Sequence, residues 1–229
     1  MDKSINSLDW YYFKGSDVRA FLLQQLCLFR SFVLYDSGFR QNFSLEGDKY
    51  GDIEFIDFDS YHIIACKDDE IIGTIRVTPP KLKGVTYSIL GRNEFQEMLA
   101  NMGTTHERII EINRLSVDAR YRKLNLGRSL IFSSIALIEK IWNRNEVSII
   151  GSAGNCLGQT QFCLKYTDFK RIPNLEDRYT ETFKDKVTFL TYSLPPYEKG
   201  QEQIDFFHLK LKRIEPLKKL NIALSENYL

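Results

Sequence analysis

Residues 109–142 constrain this chain more than any other stretch. Ile109–Val117 is rich in β-branched residues and reads as a strand. Gly127–Trp142 follows as a helix that is apolar on nearly every side. A helix without a broad polar face cannot lie on the surface, so it must pack against a sheet. Between strand and helix, Arg120, Arg122, Lys123 and Arg128 place four positive charges, with no acid among residues 119–128. Basic residues are the wrong sign for a helix N-terminus unless an anion is bound there, because the helix dipole already presents positive charge. The turn is therefore expected to hold a phosphate or a similar anion, against the plainer alternative of a solvated helix start.

The rest of the chain fits a sheet flanked by helices. Ser16 and Asp17 are expected to cap a helix whose apolar positions Val18, Phe21, Leu22, Leu26, Phe29 and Val33 follow helical spacing. A polar stretch with Gly38, Gly47 and Gly51 reads as a loop. Tyr61–Cys66 and Ile71–Thr78 flank Lys67–Glu70 as a hairpin, and Pro79-Pro80 ends its second strand. Asn93 is expected to cap a short helix ended by Gly103. Val147–Ile150 reads as a strand, Leu157–Tyr166 as a helix, Val187–Ser193 as a last strand, and 206–229 as a tail ending in a basic helix-like segment. A hairpin feeding a βαβ unit indicates an α/β (α+β) fold with a mixed central β-sheet flanked by helices. No Pro/Gly/Ser-rich linker interrupts residues 1–229, so one domain is expected, with a core over about 16–193 and a C-terminal extension over 194–229.

Composition excludes several classes. The net charge of +1 gives no global pull toward nucleic acid. Three scattered histidines and no C-x-x-C pair leave no metal set, and Cys27, Cys66, Cys156 and Cys163 read as reduced core residues. The N-terminal segment lacks an apolar signal core, and no apolar run reaches the ~18 residues that would span a bilayer, so a cytoplasmic location is expected.

Two sets of residues carry chemistry. Arg122, Asn125 and Gly127 lie at the spacing R-x-x-N-x-G, where Gly127 lets backbone come close to a phosphate. Glu111 and Arg114 form E-x-x-R on the strand. Side chains alternate along a strand, so Glu111 and Asn113 share one face and Arg114 the other unless a bulge intervenes. A buried ion pair with Arg76 is the structural alternative. Glu111 is the candidate general base and Arg76 and Arg114 the candidate partners of a carboxylate, since the guanidinium matches that group bidentately. The equal alternative is that the two arginines are buried partners of Glu54, Asp57 and Glu111.

The R-x-x-N-x-G turn resembles the R/Q-x-x-G-x-G/A pyrophosphate turn of the GCN5-related N-acyltransferases (GNAT), with Asn125 in place of a Gly. A second resemblance lies upstream, in IEFIDFDSYHIIACKDDEIIGTIRVTPP. Glu54 and Asp57 (with Asp59 as a rival), Arg76 on the hairpin, and Glu111 with Arg114 are similar in kind and order to residues shared by acyl-homoserine-lactone synthases and long-chain N-acyl amino acid synthases. Arg30 matches the first helix of those families loosely. The family Trp that follows this helix in homoserine-lactone synthases has no counterpart, though Tyr35 is near.

The resemblance implies the GNAT fold and a donor that is an acyl thioester on phosphopantetheine, with no tightly bound cofactor. Arg122, Asn125, Gly127 and Arg128 would hold its pyrophosphate or phosphate. Arg120 and Lys123 would dock an acidic acyl carrier protein, helped by Lys210, Lys212, Arg213, Lys218 and Lys219. Glu54, Asp57, Arg76 and Arg114 would shape the acceptor pocket, and a backbone N–H around Leu115–Val117 would hold the oxyanion. Ile131, Phe132, Ile135, Phe162 and Leu164 would line an acyl slot. Leu164 occupies the position where acetyltransferases often carry a Tyr acid, and Tyr166 is turned roughly 200° away. The implied reaction moves a long-chain acyl group from acyl carrier protein, or acyl-CoA, to the α-amino group of an amino acid. A homoserine-lactone synthase using S-adenosylmethionine, an acetyl-CoA-dependent N-acetyltransferase and a non-catalytic binding module are the alternatives.

Overall fold

The computed structural model describes residues 3–36, 52–181, 183–193, 195 and 197–214. The short helix α1 (Lys3–Asn6) leads into strand β1 (Asp9–Lys14). Helices α2 (Ala20–Asp36) and α3 (Phe55–Asp59) precede the hairpin strands β2 (Tyr61–Lys67) and β3 (Glu70–Thr78). Helix α4 (Val85–Asn101), β4 (Ile109–Val117), α5 (Leu126–Ile141), β5 (Ser148–Gly154) and α6 (Gln159–Tyr166) follow. Strands β6 (Phe169–Arg171), β7 (Arg178–Thr180) and β8 (Asp185–Tyr192), helix α7 (Gln201–Lys210) and β9 (Lys212–Arg213) complete the described chain.

The strands form a single sheet in the order β6-β8-β5-β4-β3-β2-β1-β9, with β7 beside β8. It is mixed: β4 pairs β5 in parallel and β1 pairs β9 in parallel, while the other neighbours are antiparallel. Alternation along each strand sends odd-numbered β3 residues Ile75 and Val77 to one face, where α5 and α7 pack with Trp10, Leu130, Phe132 and Ile135 in the largest core. On the opposite face α2 covers Ile64, Cys66 and Ile71, and α4 covers Ile109, Ile150 and Phe189. Between these two apolar patches lies a strip of buried polar residues that includes His62, Thr74, Arg76, Glu111 and Asn113.

The hairpin turn is Asp68-Asp69, both with positive φ (51° and 62°), the mirror-image turn that matches strand twist. Several boundaries differ from expectation. α2 begins at Ala20, and Ser16 and Asp17 lie in a 3-10 turn before it, with Phe21 66% exposed. α4 begins at Val85 rather than Asn93; Gly91, at φ 71° and ψ 178°, breaks its path. Pro79-Pro80 end the hairpin as expected, since β3 stops at Thr78. Strand β1 and the α7–β9 segment were not anticipated: α7 crosses α5, and β9 closes the sheet beside β1. Gly200 allows this crossing, because a Cβ there would lie 2.2 Å from Phe132 Cε1. Of the four cysteines, Cys27, Cys66 and Cys163 are buried, but Cys156 is exposed. Residues 37–51 and the tail beyond 214, with Lys218 and Lys219, lie outside the described residues.

Candidate active site

The site begins where β4 and β5 part. Their pairing runs from Ile109↔Ser148 to Ile112↔Gly151, yet β4 continues to Val117 and β5 to Gly154. On its other side β4 carries a bulge: Thr74 opposes Ser116, and Arg76 opposes Asn113, so two residues of β4 face one of β3. Arg114 occupies the bulge with φ 55°. The extra residue breaks strict alternation and brings Arg114 to the polar face shared by Glu111 and Asn113, where alternation alone would have sent it away.

The gap opens into a cavity of about 160 Å³. Ile112, Leu115, Ile131 and Phe162 border it, with Ala153 and Val187 on the β5–β8 side, while Asn113 and Arg114 supply polar groups at its edge. Of the residues expected in an acyl slot, Ile131 and Phe162 line this cavity. Phe132 and Ile135 are buried in the core behind α5, and Leu164 packs against that core.

Beside the gap, three arginines and three acids form a network that is buried except at Glu54. Arg30, from α2, makes two bonds to Asp57: Nη1 to Oδ1 and Nη2 to Oδ2, each 2.9 Å. Its Nε lies 3.0 Å from Asp52 Oδ2. Arg76 Nη1 donates to Asp57 Oδ1 at 2.8 Å and lies 2.8 Å from Glu54 Oε2, while its Nε donates to Asn113 Oδ1 at 2.7 Å. Arg114 reaches Glu54 at 2.6 Å and Asp52 at 3.2 Å. Glu54 and Asp57 are also joined by a capping box at α3. Burial would raise the Asp57 carboxyl, but the bonds and charges of Arg30 and Arg76 overcome it and hold it well below the usual range. Glu54 is likewise lowered, its burial outweighed by Arg114 and Arg76. Asp59, the rival of Asp57, lies outside this network, 4.0 Å from Lys14. The arginines are therefore partnered by Asp52, Glu54 and Asp57 rather than by Glu111. Asp52 and Arg30 complete the set; Asp52 lacked a motif in the sequence, and its only signal was membership of the acid-rich run before the hairpin.

Glu111 makes no ion pair with that network among the described residues, and meets it through Asn113 and the charge of Arg76. It is 4% exposed, and its Oε1 accepts from Thr86 N and Thr86 Oγ1, both at 3.0 Å. Burial raises its carboxyl above the ordinary value, opposed by Thr86 and by the charge of Arg76. His62, fully buried, has Nε2 2.8 Å from the Asp57 carbonyl, so that nitrogen carries the proton and donates. Burial and then Arg30 depress its pKa to about 3.

At the basic turn, Asn125 adopts the left-handed region (φ 56°, ψ 18°) and accepts from Ser129 N, so α5 starts at Leu126. The first N–H groups of α5, at Leu126, Gly127 and Arg128, precede that bond and suit an anion. Arg122 and Lys123 are exposed. Arg120 is engaged by Asp118 at 2.6 Å and Glu70 at 2.7 Å. Arg128 turns toward the C-terminal segment, donating to Lys199 O at 2.6 Å above the Phe132 ring. Lys212 and Arg213 pair with Asp9 and Asp17. Among the described residues no cluster of His, Cys, Asp and Glu has a metal-binding arrangement, and no helix is long and apolar enough to cross a membrane.

A family model described as "Acetyltransferase (GNAT) domain" matches residues 36–131. No curated protein matches. Among solved structures, the CoA-dependent acyl-homoserine lactone synthase BjaI aligns with a TM-score of 0.62 at 12% identity, over 93% of this chain and 96% of that one. An acyl-CoA N-acyltransferase from Pseudomonas aeruginosa aligns at 0.55 and 18% identity, over 82% and 100%. FeeM, an N-acyl amino acid synthase from uncultured soil microbes, aligns at 0.54 and 12%, over 78% and 88%. At these identities the likeness establishes the fold: an α/β GNAT fold with a mixed sheet between helices.

Proposed function

We propose that this protein is an N-acyltransferase that moves a fatty acyl group from a phosphopantetheine thioester, carried by acyl carrier protein, to the α-amino group of an amino acid. The observation that carries the reading is the apolar cavity at the β4–β5 gap, bounded by Asn113 and Arg114 on the strand that also carries the buried Glu111. An acyl chain would lie in the cavity, and the pantetheine phosphate at the start of α5, met by backbone N–H groups with Arg122 and Lys123 beside them. Beyond Ile112 the β4 edge has parted from β5, which supports a role for backbone N–H groups over 113–117 in holding the oxyanion.

Glu111 takes the proton that the amine sheds as it attacks the thioester carbonyl. The C–N bond forms and the C–S bond breaks. The departing thiolate recovers the proton from Glu111 or from water, and a thiol of pKa ~8.5 leaves without a dedicated acid. The network of Arg30, Asp52, Glu54, Asp57, Arg76 and Arg114 fixes the acceptor pocket. Because its charges are largely compensated, the arginines act first as a rigid scaffold and only by their remaining donors on an acceptor carboxylate; Arg76 Nη2 is a buried donor without a protein partner among the described residues.

The alignment with a homoserine lactone synthase favours a second reading, in which S-adenosylmethionine supplies the amine. Both are tested by incubating the protein with acyl carrier proteins and acyl-CoAs of graded chain length, with an amino acid pool or with S-adenosylmethionine, and identifying products by mass. An N-acyl amino acid supports the first reading. An acyl-homoserine lactone formed only with the adenosyl substrate replaces it.

A further inference from the structure

Glu111 is presented by a dedicated piece of backbone that no motif marks. The loop after β3 and the first turns of α4 bring Gly84, Val85 and Thr86 over the carboxylate. Thr86, itself fully buried, satisfies Oε1 twice. Oε2 faces Gly84 so closely that a Cβ there would lie 1.8 Å from it. Val85 borders the cavity, so the same turn forms part of its wall. The break at Gly91 allows the segment 85–90 its own direction; that backbone (φ 71°, ψ 178°) is one that glycine alone adopts without strain.

We propose that Thr86 is the positioning residue of the reaction: by occupying Oε1 with two donors it fixes the orientation in which the Glu111 carboxylate receives the amine proton. The inference rests on the reading of Glu111 as the base. Geometry explains the assignment. A carboxylate free to rotate in a buried site presents either oxygen to the substrate, whereas one bonded twice through Oε1 presents a single oxygen in a single plane. Arg76 from β3 is the charged group acting on Glu111; the neighbours Asn113 and Thr86 are neutral. Removing the Thr86 hydroxyl therefore removes a bond that favours the carboxylate, and leaves burial less opposed.

The test compares Thr86→Val, which keeps the backbone N–H and the shape, with Thr86→Ser, which keeps the hydroxyl. Glu111 is titrated by carboxyl ¹³C NMR, its resonance assigned by its loss in Glu111→Gln, and kcat is measured against pH with the donor and acceptor that the product assay identifies. In Thr86→Val the midpoint is expected to rise by about one pH unit, and the acidic limb of kcat to rise with it, while KM for the acyl donor is unchanged. Thr86→Ser restores both. Gly84→Ala, which displaces Oε2 sterically, lowers kcat with the same sparing of KM. A Thr86→Val midpoint equal to that of the unmodified protein overturns the inference. A shifted midpoint in a protein that acylates no acceptor leaves the bond from Thr86 to Glu111 intact, but overturns the acyltransfer reading and, with it, the role in catalysis.

Discussion

Replacing Asp57 by Asn tests the central network most severely. Asp57 is fully buried and receives both Arg30 and Arg76, and its Oδ2 also accepts from Glu54 N at 2.8 Å. Asn keeps the volume but removes the charge, leaving two buried guanidinium groups with less compensation than before. Breaking a buried pair from one side costs about 3–5 kcal/mol, because the stranded charge cannot return to water. For a chain of this length each kcal/mol moves the melting temperature by about 2–4 °C, so a fall of roughly 6–20 °C is expected. The control is Glu94→Gln. Glu94 pairs with Arg178 at 3.2 Å, but both side chains are more than 40% exposed, and an exposed pair of this kind is worth under about 1 kcal/mol. Urea unfolding of both variants at pH 7 gives the comparison directly. If Asp57→Asn lost no more stability than Glu94→Gln, the account of the network as a set of mutually dependent buried charges would be wrong.

Stability should also fall with acid in a defined window. His62 has a folded pKa of about 3 against 6.5 in the unfolded chain, so the unfolded state binds the extra proton between those values; stability is full above 6.5 and is lost as pH falls toward 3, by about 1.4 kcal/mol per pH unit. The lowered Asp57 adds a loss in the same direction below about 4. Urea titrations from pH 7 to 4 should show the His62 slope, and His62→Gln should remove it; an unchanged slope would refute the assignment. Gly91→Ala should cost about 1–3 kcal/mol from backbone strain alone, since no atom lies within 4 Å of the added Cβ; unchanged urea unfolding would contradict it. Ala153→Leu, which extends into the cavity, should raise KM for the longest accepted acyl donor about tenfold and spare shorter ones. An equal loss at every chain length would place the acyl group elsewhere.

The parts of the fold legible beforehand were those whose signal is local. The Ile109–Val117 strand, the hairpin and the apolar helix α5 all declared themselves by period or by turn residues. β1 did not, although Asp9–Lys14 holds Trp10, Tyr11, Tyr12 and Phe13, because four aromatics in a row show no polar–apolar alternation. β9 has two residues and exists only through its pairing with β1. In the site, Glu54, Asp57, Arg76 and Arg114 are brought together as one network, but the bulge that permits it depends on the register between β3 and β4. No feature of Arg114 itself announces a positive φ. Nor could spacing show that Glu111 would be claimed by Thr86, because that contact depends on how α4 turns at Gly91. The basic turn is the instructive case: four like charges in sequence are divided in space, Arg120 held by Glu70 and Asp118, Arg122 by the Val117 carbonyl and Arg128 by the Lys199 carbonyl.

The most direct measurement is acceptor-dependent thiol release. Acyl carrier protein bearing a fatty acyl thioester is mixed with the protein, with and without amine acceptor, and free pantetheine thiol is followed with a thiol reagent. The account predicts release that requires the amine and falls about 10²–10⁴-fold in Glu111→Gln. That variant should remain folded, because its amide oxygen can still accept from Thr86. Release that ignores the amine, or that survives intact in folded Glu111→Gln, would contradict the assignment of Glu111 as the base of an acyl transfer.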